Sequence, residues 1–248
     1  IFISSMCMLF FYITTYAEPI ALPNINIEVG TADNPSEATS SLQMLFLLTI
    51  LSLAPSILVM MTAFTRIIIA LHFLRSALGT QQMPPNQILI GLALFLTIFI
   101  MTPTFDVINN DAIKPYSAGQ ISQEVAIERG TRPLKEFMLR QTRDIDIKLF
   151  ADIAQMEPIQ DEKNFIDEIP MRIVIPAFII SEIRAGFMIG FLIFIPFIVI
   201  DMVVASTLMA MGMMMLPPAM IALPFKILLF ILVDGWNLVI GQLVQTFR

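Results

Sequence analysis

The tract from Ile173 to Met215 is apolar nearly throughout, broken by Pro176 and Pro196. Three further stretches resemble it: Leu42 to Phe64 with Pro55 inside, Ile88 to Thr102 stopping at Pro103, and Phe225 to Phe247. As a helix, the first of these reaches roughly 34 Å, enough for a bilayer core. With 57% hydrophobic and only 14% charged residues, the chain cannot hide its apolar surface in one water-facing globule. It needs lipid, or other chains like itself. The reading is an all-α membrane protein with about four apolar, Pro-kinked helical stretches arranged as hairpins.

Charge collects between the second and third stretches. Residues 104–170 hold 21 of the 34 Asp, Glu, Lys and Arg residues. From Arg132 to Met156, helical spacing puts Leu134, Phe137, Met138, Ile145, Leu149, Phe150 and Ile153 near one face. A helical, water-facing insert is expected here. It carries 13 acids against 8 bases, whereas the 65–87 connection carries Arg66, His72 and Arg75 and no acid. The positive-inside rule puts that connection in the cytoplasm and the insert outside. Lys226 marks a second cytoplasmic turn near Pro217-Pro218. Met83-Pro84-Pro85 and Leu216-Pro217-Pro218 form a weak internal echo.

Residues 1–17 read as the end of a secretory signal peptide cleaved after Ala17, with a first transmembrane helix as the alternative. Residues 18–41, rich in Pro, Asn, Ser and Asp, read as an extracytoplasmic arm. The working division is 42–103 for a first hairpin, 104–170 for the insert and 171–248 for a second hairpin.

Several chemistries are excluded. A net charge of −6 argues against nucleic acid. Cys7 and His72 are the only cysteine and histidine, which leaves no disulfide framework or Cys/His zinc site and little room for nucleophile–base catalysis. No catalytic residue, cofactor or metal is expected.

Glu182, Arg184, Asp201 and Asp234 lie within or beside apolar stretches. A charge at the bilayer centre costs at least about 2.5–3.5 kcal/mol, so these helices face protein or water. The charges pair across helices, or they serve transport directly. Prolines 55, 176, 196 and 224 likewise leave carbonyls for neighbours to satisfy. Ala177, Ser181 and Ala185 recur every four residues beside Gly186 and Gly190, a pattern that lets helix backbones approach closely. Met209-Ala-Met211-Gly-Met213-Met214-Met215 precedes Leu216-Pro217-Pro218. Methionine side chains adapt to irregular gaps, so this loop is either a deformable pore seal or a lipid-facing helix end.

Three blocks resemble one family. Arg75-Ser-Ala-Leu-Gly-Thr-Gln-Gln-Met-Pro-Pro-Asn-Gln87, Pro176-Ala-Phe-Ile-Ile-Ser-Glu-Ile-Arg-Ala-Gly-Phe-Met-Ile-Gly-Phe191 and Leu223-Pro-Phe-Lys-Ile-Leu-Leu-Phe-Ile-Leu-Val-Asp-Gly-Trp236 are similar to the FliP family of flagellar type III export-gate proteins. Met188 departs from it, standing where the family usually has a polar residue. The resemblance implies a homo-oligomer joined by FliQ and FliR in a conical gate of the flagellar basal body in the inner membrane. FlhB and FlhA work beside it, and unfolded flagellar subunits pass through. It implies that Met213, Met214 and Met215, with Met211, form a gasket. The injectisome has a close relative; the signal peptide and long insert favour the flagellar member. Two rival readings are a transporter or proton channel using Glu182, Asp201 and Asp234, and a membrane enzyme using an Asp201–Asp234 dyad.

Overall fold

The structure, a computed structural model, describes residues 44–45, 47–49, 52–53, 56–57, 59–80, 82–156, 165–213 and 215–247. The expected signal segment with Cys7 and Ala17, the arm 18–41, Pro55 and Met214 lie outside them. Among the described residues every regular element is a helix.

Helix α1 (Phe64–Ala77) carries Ile67, Ala70, Leu71, Leu74 and Ala77 at three- and four-residue intervals, all with no exposed surface. A whole face of α1 is therefore core. The expected cytoplasmic connection 65–87 is thus helical over its first half. Apolar spacing continues through it, and both of its arginines have partners inside the protein. The Pro-Pro turn follows. Arg75 braces it, donating from Nη1 to Asn86 Oδ1 at 2.5 Å while Nη2 lies 3.0 Å from His72 Nδ1.

Helix α2 (Asn86–Ile108) touches the rest through a narrow stripe of Leu89, Ala93, Thr97, Met101 and Thr104, about one residue per turn. Ile88, Phe95, Ile98 and Phe99 face outward. Pro103 does not stop this helix. Helical structure continues through a π-helical segment, Asn109–Ile113, into α3 (Lys114–Ser117), a run of 32 residues. An apolar helix accommodates a proline because only one backbone hydrogen bond is forfeited and local adjustments satisfy the freed carbonyl.

The charged region forms α4 (Gln123–Gln141), α5 (Asp144–Ile153) and α6 (Phe165–Glu168). Ser122 caps α4, accepting from the Val125 N–H at 3.4 Å. The helix expected across 132–156 is two helices. Thr142 turns extended, its hydroxyl donating back to Met138 O at 2.7 Å, and Asp144 and Asp146 open a new first turn. The break puts Phe137, Met138 and Ile147 in the core but leaves Ile145, Leu149 and Ile153 exposed. Phe137 meets Phe178 edge-on at 6.0 Å, so these helices share one core with α1 and the next helix.

That next helix is α7 (Met171–Ala210), 40 residues long with Pro176 and Pro196 inside it. It spans roughly 60 Å, about twice a ~30 Å hydrocarbon layer. Helix α8 (Pro218–Leu232) returns along α7, and α9 (Gly235–Gln245) continues after a 66° bend. Among the described residues, two helices are long and apolar enough to cross a membrane, or three if the bent pair counts as one span.

Candidate functional site: a methionine tip and two buried ion pairs

The chain reverses between α7 and α8 at the methionine run. Gly212 ends α7 with φ +76°. Its N–H donates to Met209 O and the Met213 N–H donates to Leu208 O, both at 3.0 Å, the paired reverse bonds of a glycine-terminated helix. Pro217 and Pro218 start α8, where a missing N–H costs nothing. A stop signal and a start signal thus frame a short tip. Its side chains point away from the protein: Met215 is 99% exposed, Met211 62%, Met209 59% and Met213 38%. Behind it, Val204, Leu208 and Ala222 hold α7 against α8.

Below the tip, Lys226 donates to Asp201 Oδ2 at 2.7 Å. Lys226 is buried within α8 and so is not a turn residue exposed to cytoplasm. Asp201 Oδ1 is buried without a partner among the described residues. A Cβ at Gly79 would lie 3.8 Å from Lys226 Nζ, so the turn after α1 sits level with this pair. The α7–α8 hairpin runs on for ten residues from Asp201 to Met211, about 15 Å.

Glu182 is fully buried on α7. Both its oxygens accept from Arg66 of α1, the Nε bond being 3.1 Å. Arg66 also donates to Thr246 O at 2.9 Å and Gln141 Oε1 at 3.0 Å, and lies 4.0 Å over the Phe247 ring. One guanidinium thereby ties α1, α4, α7 and the segment after α9. A bidentate pair with its remaining donors used can repay burial, where a lone charge cannot.

The neighbouring residue Ser181 reaches the other way. Its hydroxyl donates to Asp146 Oδ2 and accepts from the Arg143 N–H at 3.1 Å. Arg143 clasps Asp146 from the same helix turn at 2.7 and 2.9 Å. Burial is the largest single influence on Asp146 and pushes its pKa up. The Ser181 and Arg143 hydrogen bonds, with the charges of Arg143 and Arg184, outweigh it and hold the carboxyl below its ordinary value. Because the folded value is the lower one, this contribution exists above the ordinary carboxylate range, near about pH 3.9, and is lost as pH falls through the folded value. Asp146→Asn is therefore expected to lower thermal stability at pH 7, with the gap to the unaltered protein closing toward pH 3. A gap of equal size at both values would refute this account.

Two glycines of the small-residue row pack on α1. Ala177, Ser181, Gly186 and Gly190 are buried and Ala185 partly so. A Cβ on Gly186 would come 2.9 Å from Ile69 Cβ, and one on Gly190 2.7 Å from Phe73 Cβ. Only glycine admits α1 this close.

Other expected site residues stand apart. Arg184 is exposed and acts on Asp146 by charge alone. Asp234 is exposed at the α8–α9 bend with φ +50°. It forms no dyad with Asp201, whose bonded partner is Lys226. Arg66, Lys226 and Asp146 are the buried ion-pair residues that charge counting passed over. The available signal was that a buried acid requires a base, and Arg66 and Lys226 both stand inside apolar runs. His72 lies against Arg75, and burial followed by that charge lowers its pKa and keeps the ring neutral at pH 7. Among the described residues no group of His, Cys, Asp and Glu could hold a metal ion.

Comparison with known sequences gives a consistent result. The FliP family profile matches residues 47–243. The flagellar biosynthetic protein FliP of Bacillus subtilis is 53% identical over 221 residues, covering 89% of this chain and 98% of that protein. The Pectobacterium carotovorum protein of the same name is 56% identical over 209 residues, covering 84% and 80%. That of Aquifex aeolicus is 47% identical over 227 residues, covering 92% of each. A profile spanning most of the chain, and relatives at about half identity over 80–98% of their own length, show that this chain belongs to the FliP family.

Proposed function

We propose that the chain is a structural subunit of the flagellar type III export gate in the bacterial inner membrane, conducting unfolded flagellar proteins and doing no chemistry of its own. Several copies assemble with FliQ and FliR, beside FlhB and FlhA. The methionine tips, with Met211, Met213, Met214 and Met215 at their centre, meet around an axis and seal it. The insert 104–170 faces the periplasm, in keeping with its excess of acids. The division into arm, two hairpins and insert serves this arrangement.

The observation that carries the reading is the exposed tip. Flexible thioethers at Met209, Met211, Met213 and Met215 are presented on a turn held by paired backbone hydrogen bonds. Such side chains conform to an irregular partner and yield to it. The length of α7 points the same way: its exposed apolar surface, from Ile180 to Met209, outruns one hydrocarbon layer and needs protein neighbours. Ala177, Ser181, Glu182, Ala185, Gly186 and Gly190 hold each subunit's own helices together, while the exposed Arg184 and Asp234 remain available to neighbouring subunits.

The test is a triple replacement of Met213, Met214 and Met215 by Ala in the co-expressed gate. Assembly should survive, because Met213 and Met215 are exposed on the subunit, while membrane leak of ions and small solutes rises several-fold. An assembled variant as tight as the unaltered gate would refute the seal.

A further inference from the structure

We infer that copies of this chain dock head to tail, the outward face of α2 in one copy, centred on Phe95, seating in the apolar hollow between α1, α7, α8 and α9 of the next. This inference rests on several copies standing around one axis, as proposed above, and names the surfaces by which they meet.

The hollow comes first. It measures 560 Å³, and its wall includes Leu74, Ile189, Phe197, Phe230, Val239 and Leu243 and no charged side chain. Protein interiors leave few voids larger than a water molecule, and a dry cavity of about 150 Å³ already holds a benzene-sized ring. A hollow of this size receives several apolar side chains. Among the described residues Phe95 is the most exposed aromatic one, at 76%. Ile88 and Phe99 are exposed on the same helix, and no charged residue occurs from Asn86 to Phe105. Both surfaces have the charge-poor, aromatic composition of the buried centre of an interface.

Two glycines mark the same surfaces. Gly91 of α2 and Gly241 of α9 lie inside helices, where glycine is destabilising relative to alanine. A Cβ on either would meet nothing within 4 Å, so packing within the subunit asks for neither. Gly186 and Gly190 differ, since α1 occupies the space beside them. Gly91 lies one helical turn from both Ile88 and Phe95, and Gly241 one turn from Leu238, which also lines the hollow. Close approach of a helix from another copy gives both glycines a use.

Height along the helices agrees. Helices α1 and α2 form an antiparallel hairpin with Ala70, Leu71, Leu89 and Ala93 in one core, and Arg75 is bonded to Asn86 at its turn. Nine residues along each helix from that bond stand Arg66 and Phe95, each about 13.5 Å away. Arg66 donates to Thr246, and Thr246 and Leu74 both belong to the wall of the hollow. The hollow therefore covers the heights from Asn86 to Phe95. Copies related by rotation about an axis along these helices present equal heights to one another, so the face of α2 meets the hollow without a vertical shift. The contact uses a different surface on each partner, and such contacts close into rings.

The experiment uses the co-expressed gate in membranes, with Cys7→Ser in the chain so that it carries no other thiol. Phe95→Cys and Gln242→Cys, the latter in the wall of the hollow, are introduced singly and together, and a short bis-maleimide is added. The double variant should give a ladder of bands running beyond a dimer, and neither single variant should. Gly91→Leu and Gly241→Leu should each lower recovery of the assembled gate several-fold while the dispersed subunit keeps its unfolding temperature. No ladder from an assembled gate, a Phe95→Cys adduct to FliQ or FliR alone, or full assembly of both leucine variants overturns the inference. If a gate of several copies forms without the ladder, the docking surfaces alone are wrong. If the purified gate holds one copy of this chain, the many-copy reading falls with them.

Discussion

Arg66→Met, with Glu182 left in place, is expected to destabilise the subunit by about 3–5 kcal/mol. The mechanism is specific. Glu182 has no exposed surface and takes both its hydrogen bonds from Arg66. Removing the base strands a carboxylate inside the protein. The same substitution frees Thr246 O and Gln141 Oε1 and removes the cation over Phe247, so the segment after α9 loses its anchor. Folded proteins are stable by only about 5–15 kcal/mol, so the gate complex should fail to accumulate or unfold at a sharply lower temperature in detergent. The double replacement Arg66→Met with Glu182→Met separates the terms. It removes the stranded charge and should recover most of the ion-pair loss, while the segment after α9 stays sensitive to protease. A single variant within about 1 kcal/mol of the parent would show that the pair is bystander geometry.

Gly190→Val is expected to be the most damaging substitution in the small-residue row. A Cβ there would fall 2.7 Å from Phe73 Cβ. That neighbouring atom is fixed to the α1 backbone and cannot swing aside, so α1 must separate from α7. Overpacking of this kind costs typically about 1–3 kcal/mol. Here it also disturbs the edge-on contact of Phe73 with Phe187 at 5.1 Å, and α1 carries Arg66 away from Glu182. Thermal unfolding of the purified complex measures the loss, and Phe73→Ala should restore part of it by vacating the space. Gly212→Val offers a contrast: nothing lies within 4 Å of that position, so its cost is conformational and confined to the tip. Because Phe73→Ala removes the ring atoms that would crowd the new Cβ most closely but keeps the Phe73 Cβ, equal losses at Gly190 with and without it would remove the Phe73 ring as the cause.

Much of this architecture was legible in advance. Helical class and membrane habit followed from apolar runs too long and too dense for a globule. The close helix contact was readable because glycine and alanine at four-residue spacing have one physical use, letting backbones approach. The turn at the tip was readable because Gly212 and Pro217-Pro218 stop and start helices through backbone geometry alone. Failures have causes of their own kind. Pro103 looked like a terminus, yet the helix runs through it. Residues 132–156 looked like one helix, but Thr142 breaks it where Arg143 is drawn to Ser181. Arg66 and Lys226 looked like loop charges because charge counting weighs numbers and not partners.

Residue order by itself determined what the chain must avoid: water along its apolar runs, and lipid beside Glu182 and Asp201. Both are local transfer costs, so they can be read one residue at a time. Only the tertiary structure decided which base answers which acid, that the methionine tip is exposed, and that the charged helices α4 and α5 share a core with α1 and α7. Several join groups distant in the chain, 116 positions apart for Arg66 and Glu182 and 25 for Lys226 and Asp201. Their meeting depends on the joint packing of several helices, a free energy to which no single segment contributes on its own.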